Sequence, residues 1–136
     1  MATYNKFQCF VEDLAEGKHN LASDTLKVAL SSNANAPSAS LDVKLADITT
    51  IASPAVDSVT LTVSSSSQTN GTYTLVLEDK TMTASGAVGP FRYVIIYNDT
   101  ATDDPLIAWY DYGSEVTLAS GDTFKLDFGT ELLSLA

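Results

Sequence analysis

The fold of this chain is decided by the stretch GPFRYVIIYNDTATDDPLIAWYDYG, residues 89–113. Two apolar runs flank a polar, aspartate-rich turn, which is the signature of a β-hairpin. Strict alternation of side chains along a strand predicts two faces for each run. In the first run, Val94 and Ile96, beside Arg92 and Asn98, oppose Phe91, Tyr93, Ile95 and Tyr97. In the second run, Ile107 and Trp109 oppose Leu106, Ala108, Tyr110 and Tyr112. Both faces of the hairpin are therefore apolar enough to require cover.

The cover of the second face has two possible sources. Aromatic residues pack well in strands, so a core accounts for one face of the hairpin. The second face needs either the remainder of the chain or another subunit, and the sequence leaves both open. Tyr, Trp and Arg are enriched at protein interfaces. The candidate contact residues are therefore Arg92, Tyr93, Tyr97, Trp109, Tyr110 and Tyr112.

The N-terminal residues predict a short helix over residues 4–16. Its apolar positions follow the spacing i, i+3, i+4 and i+7, and they are Phe7, Phe10, Val11 and Leu14. This spacing places one apolar stripe along a helix, and Gly17 is a suitable stop just past its end. So short a helix is marginal alone, and its stripe must pack on the body of the protein.

Most of the remaining chain predicts strands. Alternating apolar positions occur in three segments, at Leu26, Val28 and Leu30, at Val59, Leu61 and Val63, and at Tyr73, Leu75 and Leu77. The pair Asn70-Gly71 before the third segment favours a tight hairpin turn. A further hairpin is predicted across a Ser-Gly-Asp turn, and it pairs Val116 and Leu118 with Phe124, Leu126 and Phe128.

The connecting segments are less regular. Residues 31–40 are small and polar and predict an exposed loop, and residues 45–51 predict an irregular or short strand piece. The tail TELLSLA predicts either a last strand or an arm. The count and spacing of strands predict a mainly β, antiparallel β-sandwich of jelly-roll-like form, as one domain over residues 1–136.

Composition excludes several classes of partner. Seventeen acidic residues against seven basic ones give a formal net charge of −10. Such a surface repels phosphate backbones and anionic lipid, so we expect neither nucleic acid nor membrane as a partner. Cys9 is the only cysteine, so an internal disulfide is impossible. The sequence lacks a signal-peptide pattern and an apolar run of about 20 residues, and we expect synthesis in the cytoplasm.

Few residues could support catalysis or hold a metal. His19 is the only histidine, and a position just after the helix suits an imidazole that complements the helix dipole. Asp99, Asp103 and Asp104 crowd the hairpin loop, where they could bind calcium or simply form turns. The sequence contains neither a glycine-rich phosphate loop nor a nucleophile elbow. We therefore expect no catalytic residue, no metal ligand, no cofactor and no enzyme activity.

Three blocks of the sequence carry a resemblance to a known group. They are KFQCFVEDLAEGKHNLASDTLKVAL, LADIT and GPFRYVIIYNDTATDDPLIAWYDYGSEVTL, and the similarity extends over nearly the whole chain. The chain resembles small structural proteins of tailed bacteriophage virions. Small acidic β-proteins of this kind are similar to capsid cement or decoration proteins, which bind the outside of the shell as oligomers.

The resemblance implies a non-enzymatic virion protein that stabilises contacts between capsomers. Its partners would be the major capsid protein of a tailed phage and further copies of itself, as a dimer or a trimer. It would be made in the host cytoplasm and located on the capsid surface. Two alternatives stay open, which are a tail or neck component of the phage and a carbohydrate-binding β-sandwich module.

Overall fold

The computed structural model describes residues 2–136 as a succession of short strands with one α-helix. In chain order the elements are β1 (Thr3–Lys6), α1 (Cys9–Ala15), β2 (Leu26–Ser31), a 3-10 helix (Leu45–Asp47), β3 (Val63–Thr69), β4 (Thr72–Leu77), β5 (Lys80–Thr83), β6 (Val88–Asn98), β7 (Leu106–Leu118), β8 (Thr123–Leu126) and β9 (Leu133–Leu135).

The strands form three antiparallel sheets. The largest has the order β1-β7-β6-β2, the second has the order β3-β4-β9, and β5 pairs with β8 in the third. The main core lies between the large sheet and the two smaller ones, because its buried residues come from all three. This arrangement confirms the predicted mainly β, antiparallel sandwich with one short helix. The jelly-roll connectivity stays a prediction.

Alternation predicts two of the core-facing strands correctly. In β2, Leu26, Val28 and Leu30 are all buried in the main core. In β4, Leu75 and Leu77 are buried and Tyr73 packs against them. The turn before β4 is also as predicted: Asn70 and Gly71 both have positive φ values, of 52° and 86°, as a two-residue hairpin turn requires.

The second face of the large sheet is covered by the chain itself. A second buried cluster lies there, and it consists of Phe7, Ile48, Tyr93, Ile95, Tyr97, Leu106 and Trp109. Residues 39–48, here named the cover segment, contribute Ile48 to this cluster and pack Ala39 and Leu45 against it. The segment is fixed by backbone hydrogen bonds from Gln8 N to Ala39 O (2.9 Å) and from Leu45 N to Asp104 O (3.0 Å). Of the two sources of cover left open by the sequence, the structure shows the intramolecular one.

Three residues lie on the opposite face from the one that strict alternation predicts. Phe91 belongs to the main core with Val94 and Ile96. Leu106 belongs to the second cluster with Trp109, and Ile107 belongs to the main core with Ala108. The register of β6 and β7 shifts between Phe91 and Tyr93, and again between Ile96 and Tyr97. An extra residue in one strand reverses the face of every side chain beyond it. The alternation therefore holds only between the bulges.

The predicted helix over residues 4–16 is wrong at its start. Residues Thr3–Lys6 form strand β1 and pair with β7, and the helix extends only over Cys9–Ala15. The stripe is divided accordingly, since Phe7 is buried in the second cluster and Phe10 in the main core, while Val11 is exposed. Pairing with β7 gives the N-terminal backbone its hydrogen bonds along one side, which competes successfully with a short and marginal helix.

The predicted C-terminal hairpin is also wrong. Strand β8 pairs with β5, which the sequence did not predict, and the end of β7 pairs with the start of β6 through Val88 and Leu118. The turn at Gly121 therefore connects strands of two different sheets. The tail is a last strand, because Leu133–Leu135 pairs with β4.

Candidate functional site

The six predicted contact residues do not form one continuous surface. Tyr93, Tyr97 and Trp109 lie in the second cluster with 7%, 9% and 8% of their surface exposed. The Trp109 ring packs against Phe7, with ring centroids 4.6 Å apart. Contact of these three with another protein stays a prediction, but the area they offer is small because the chain's own cover segment and Phe7 enclose them.

Arg92 is engaged within its own chain. Its Nε and Nη2 donate to the two carboxylate oxygens of Asp111 at 2.8 and 3.1 Å, and Nη1 donates to Asn33 Oδ1 at 2.7 Å. The guanidinium also lies 5.3 Å from the centre of the Tyr93 ring. The hydrogen bonds from Arg92 lower the pKa of Asp111, so both groups stay charged at neutral pH. This bidentate pair orients Arg92 and connects β6 to β7.

Tyr110 and Tyr112 lie on the face opposite Trp109, beside strand β1. Tyr4 pairs with Tyr110 across the strands, and their rings meet edge to face with centroids 5.6 Å apart. Tyr110 lies 6.0 Å from Phe128 and Tyr112 lies 4.9 Å from Phe124, ring centre to ring centre. We name Tyr4, Tyr110 and Tyr112 the tyrosine surface, because all three are partly exposed on one side of the molecule.

The hydroxyl groups of the tyrosine surface are neutral over the whole physiological range. Burial, with Tyr110 as the second cause, raises the pKa of Tyr4 to about 12. Burial also raises the pKa of Tyr112 to about 12, with smaller contributions from Tyr110 and Asp127. Within residues 2–136, tyrosine hydroxyls form one hydrogen bond, between Tyr73 and Ser66 Oγ at 2.8 Å. The three hydroxyls of the tyrosine surface are therefore available to an outside donor or acceptor.

Tyr4 is not among the contact residues predicted from the sequence. The predicted helix over residues 4–16 includes it, and a helical residue there would not lie next to Tyr110. One sequence pattern favours a strand here. In an extended segment Tyr4 and Lys6 would share one face and Asn5 would lie on the other, and the segment is long enough for an edge strand. That signal is weak because four residues also fit a helix start.

The three aspartates of the hairpin loop repel one another: burial raises the pKa of Asp104, and the charges of Asp99 and Asp103 add to the increase. Asp99 forms an ion pair with Lys27, with Asp99 Oδ2 and Lys27 Nζ 2.9 Å apart. Asp103 and Asp104 have positive φ values of 68° and 49°, a left-handed conformation that aspartate tolerates in turns. Across the part of the chain that the structure describes, no group of three or more His, Cys, Asp or Glu residues is placed to hold a metal ion.

Asn98 and His19 form a buried polar centre that was not predicted from the sequence. Asn98 is fully buried, and its Nδ2 lies 2.7 Å from Asp24 Oδ2 and 3.0 Å from His19 Nδ1. Its Oδ1 accepts the backbone N–H groups of Thr100 and Ala101, which is the turn chemistry expected of Asn98-Asp99-Thr100. Burial lowers the pKa of His19. The histidine is therefore a neutral structural group rather than a charged partner of the helix end.

A groove of about 920 Å³ lies between the helix and the hairpin loop. Its lining includes Cys9, Glu12, Lys18, Lys44 and Asp103. Burial raises the pKa of the Cys9 thiol, with Asp13 as the next cause. The thiol is therefore protonated at neutral pH, which makes it a poor nucleophile and a poor metal ligand.

In residues 2–136, no helix is long and apolar enough to cross a membrane. Comparison of the chain with protein-family models, with curated proteins and with solved structures finds no match.

Proposed function

We propose that this protein is a non-enzymatic decoration protein of a tailed-phage capsid, which binds the outer shell as a dimer or trimer. The proposal draws on the resemblance of three sequence blocks to small virion proteins of tailed phages. The structural observation that supports it is the tyrosine surface. Its partly exposed rings, with free hydroxyls, lie on the paired strands β1 and β7.

The tyrosine surface suits adhesion to another protein. Tyrosine contributes a large apolar ring together with a polar hydroxyl, and it has few rotatable bonds to immobilise. The rings of Tyr110 and Tyr112 are also held by Phe128 and Phe124. A surface that is already ordered loses little conformational freedom when it binds.

Charge suggests the kind of surface that would receive it. The chain has a net charge of −10, and Asp127 lies near enough to Tyr110 and Tyr112 to raise their pKa values. A basic or neutral patch on the major capsid protein would complement these residues. An acidic patch would be repelled.

The proposed mechanism is mechanical reinforcement. A decoration protein that bridges two neighbouring capsomers adds contacts that must break before the capsomers separate. An oligomer that engages several capsomers at once gains strength from multivalency, even where each single contact is weak. A typical stable interface buries about 1,600 Å² in total, which a sandwich of this size can supply.

The binding role of the tyrosine surface can be tested by adding the protein back to capsids assembled without it. We expect the double substitution Tyr4→Ala and Tyr112→Ala to weaken co-sedimentation with these capsids by about tenfold or more. The matched control is Tyr73→Ala, which removes a half-buried tyrosine from strand β4 in the β3-β4-β9 sheet. Equal binding by the double variant and the native protein would contradict the proposal.

The position on the virion is tested separately by electron microscopy of particles that carry a labelled copy of the chain. Decoration predicts label distributed over the head. Label confined to one pole would instead identify a tail or neck component and would refute the capsid role.

A further inference from the structure

Strand β3 is an open edge of the β3-β4-β9 sheet. It pairs with β4 on one side, and among residues 2–136 no other strand lies next to it in the sheet. An unpaired edge presents a row of backbone N–H and C=O groups that can pair with another strand. Its register irregularity lies between Val63 and Ser65, and residues 65–69 then pair with β4 without interruption.

The other edge strands carry features that discourage such pairing. Strands β1, β5 and β8 have four residues each and contain Lys6, Lys80 and Lys125, respectively. Short length and an edge lysine are both known protections against edge pairing. The free side of β2 is occupied, because Val28 N donates to Val59 O at 3.0 Å and Leu61 N donates to Leu26 O at 2.9 Å. Strand β9 has only three residues.

Strand β3 lacks these protections. It has seven residues, with the sequence VSSSSQT. The longer stretch from Ser58 to Leu77 contains no Asp, Glu, Lys or Arg, although the whole chain has a net charge of −10. Most contacts between two copies would bring like charges together. The β3 edge is a place where a second copy can approach without that cost.

We propose that a second copy of this chain pairs with β3 through its own β3, antiparallel and about a twofold axis. The pairing joins two three-stranded sheets into one continuous sheet. Thr69 and Thr72 flank the two-residue turn, so they form a hydrogen-bonded pair. Because hydrogen-bonded and non-hydrogen-bonded pairs alternate along the ladder, the backbone N–H and C=O groups of Ser66 and Gln68 point away from β4. These two residues therefore provide the hydrogen bonds to the second copy.

This inference deepens the proposed function, because it assigns a contact to the oligomer that the proposed function requires. Pairing through β3 uses the open edge of both copies, so the assembly closes at a dimer. The tyrosine surface is built from β1 and β7 of a different sheet, and it stays available for a capsid.

The test is sedimentation of the purified protein over a concentration series, without any capsid present. We expect a reversible monomer–dimer equilibrium. Ser66→Pro removes an N–H group that points away from β4, so the β3-β4 ladder remains, and we expect the dimer to dissociate at least about tenfold more readily. The matched control is Ser66→Ala, which loses the hydrogen bond to Tyr73 but retains the edge N–H and should dimerise as the native protein does.

A second variant tests the same edge in case the proline variant misfolds. Ser67→Lys adds an exposed lysine of the kind that strands β1, β5 and β8 carry. Its control is Ser23→Lys, which makes the same change of net charge in an exposed turn distant in the sequence. We expect the first to weaken the dimer and the second to leave it intact, with unchanged circular dichroism in both. A monomer at every concentration, a larger closed assembly, or a dimer that both edge variants leave intact would overturn the inference. A larger closed assembly, or a dimer that both edge variants leave intact, would overturn the β3 contact alone. A monomer at every concentration would also contradict the dimer or trimer of the proposed function, whereas co-sedimentation with capsids decides the role of the tyrosine surface.

Discussion

The Nδ2 atom of Asn98 lies 3.0 Å from the Nδ1 atom of His19, and both side chains are buried. Asn98 closes strand β6, whereas His19 lies in the loop after the helix, so the contact connects two distant parts of the chain. The amide of Asn98 has two donor hydrogens and one oxygen that can accept two hydrogen bonds, and all of these are used. A fully satisfied buried amide of this kind fixes the loops around it.

We expect Asn98→Ala to lower the free energy of unfolding by about 2–4 kcal/mol, because it leaves buried donors and acceptors without partners. Urea denaturation followed by circular dichroism measures the change. The matched control is Asn5→Ala, since Asn5 donates a single exposed hydrogen bond to Thr3 O at 3.1 Å and should cost much less. Equal losses in the two variants would show that the Asn98 contacts do not stabilise the fold.

The pH dependence of stability follows from the same pair of residues. His19 has a lowered pKa because burial disfavours its charged form, although Asp13 and Asp24 oppose the shift and Lys18 adds to it. In the unfolded chain the imidazole takes up a proton near pH 6.5, while the folded protein does so only at lower pH. The contribution of neutral His19 to the free energy of unfolding is therefore fully present above about pH 6.5. The free energy of unfolding decreases as the pH falls below that value.

A series of urea denaturation curves between about pH 5.5 and 7.5 checks this expectation. His19 is the only histidine, so the slope in this range should disappear in His19→Gln even though that variant is less stable overall. A variant with the same slope as the native protein would assign the pH dependence to another group.

The sequence predicted those parts of the fold in which local pattern and tertiary environment agree. Strand β2 alternates buried and partly buried residues from Leu26 to Leu30, and the Asn70-Gly71 turn needs the positive φ that these residues tolerate. Such features depend on the sequence within a few residues. Their prediction requires no knowledge of which strand lies beside them.

The errors concern choices that depend on distant partners. Residues Thr3–Lys6 form a strand because they pair with β7. Strand β8 pairs with β5 rather than with β7, which precedes it in the chain. The bulges that reverse the faces of Phe91 and Leu106 likewise arise from pairing between two strands. The cover of Trp109 could not be predicted because residues 39–48 show little periodicity, although Ile48 and Leu45 complete the second cluster.

Gly89 is a position where the backbone leaves no room for a side chain. Its φ is +104°, and an added Cβ would lie 2.6 Å from Val116 O. We expect Gly89→Ala to reduce the free energy of unfolding by about 2–4 kcal/mol through this clash together with the unfavourable φ.

Gly113→Ala is the matched control for Gly89→Ala, because Gly113 has a φ of +77° and, within residues 2–136, an added Cβ would meet no atom closer than 4 Å beyond its chain neighbours. It should show only the cost of the left-handed backbone, about 1 kcal/mol. Thermal and urea denaturation of both variants separate the clash from the backbone effect. A Gly89 variant as stable as the Gly113 variant would contradict the close approach of Val116.

Substitution of Trp109 distinguishes a hairpin side chain that packs in the protein's own core from one that contacts another chain. Its ring is enclosed by Phe7 and by the second cluster, so Trp109→Ala should leave a cavity and lower the free energy of unfolding by about 3–5 kcal/mol. We expect the variant to keep the oligomeric mass of the native protein at temperatures where it is folded. Tyr4→Ala is the control, because the partly exposed Tyr4 should cost much less stability. A Trp109 variant that melts like the native protein but sediments at a different mass would instead place this side chain in contact with another chain.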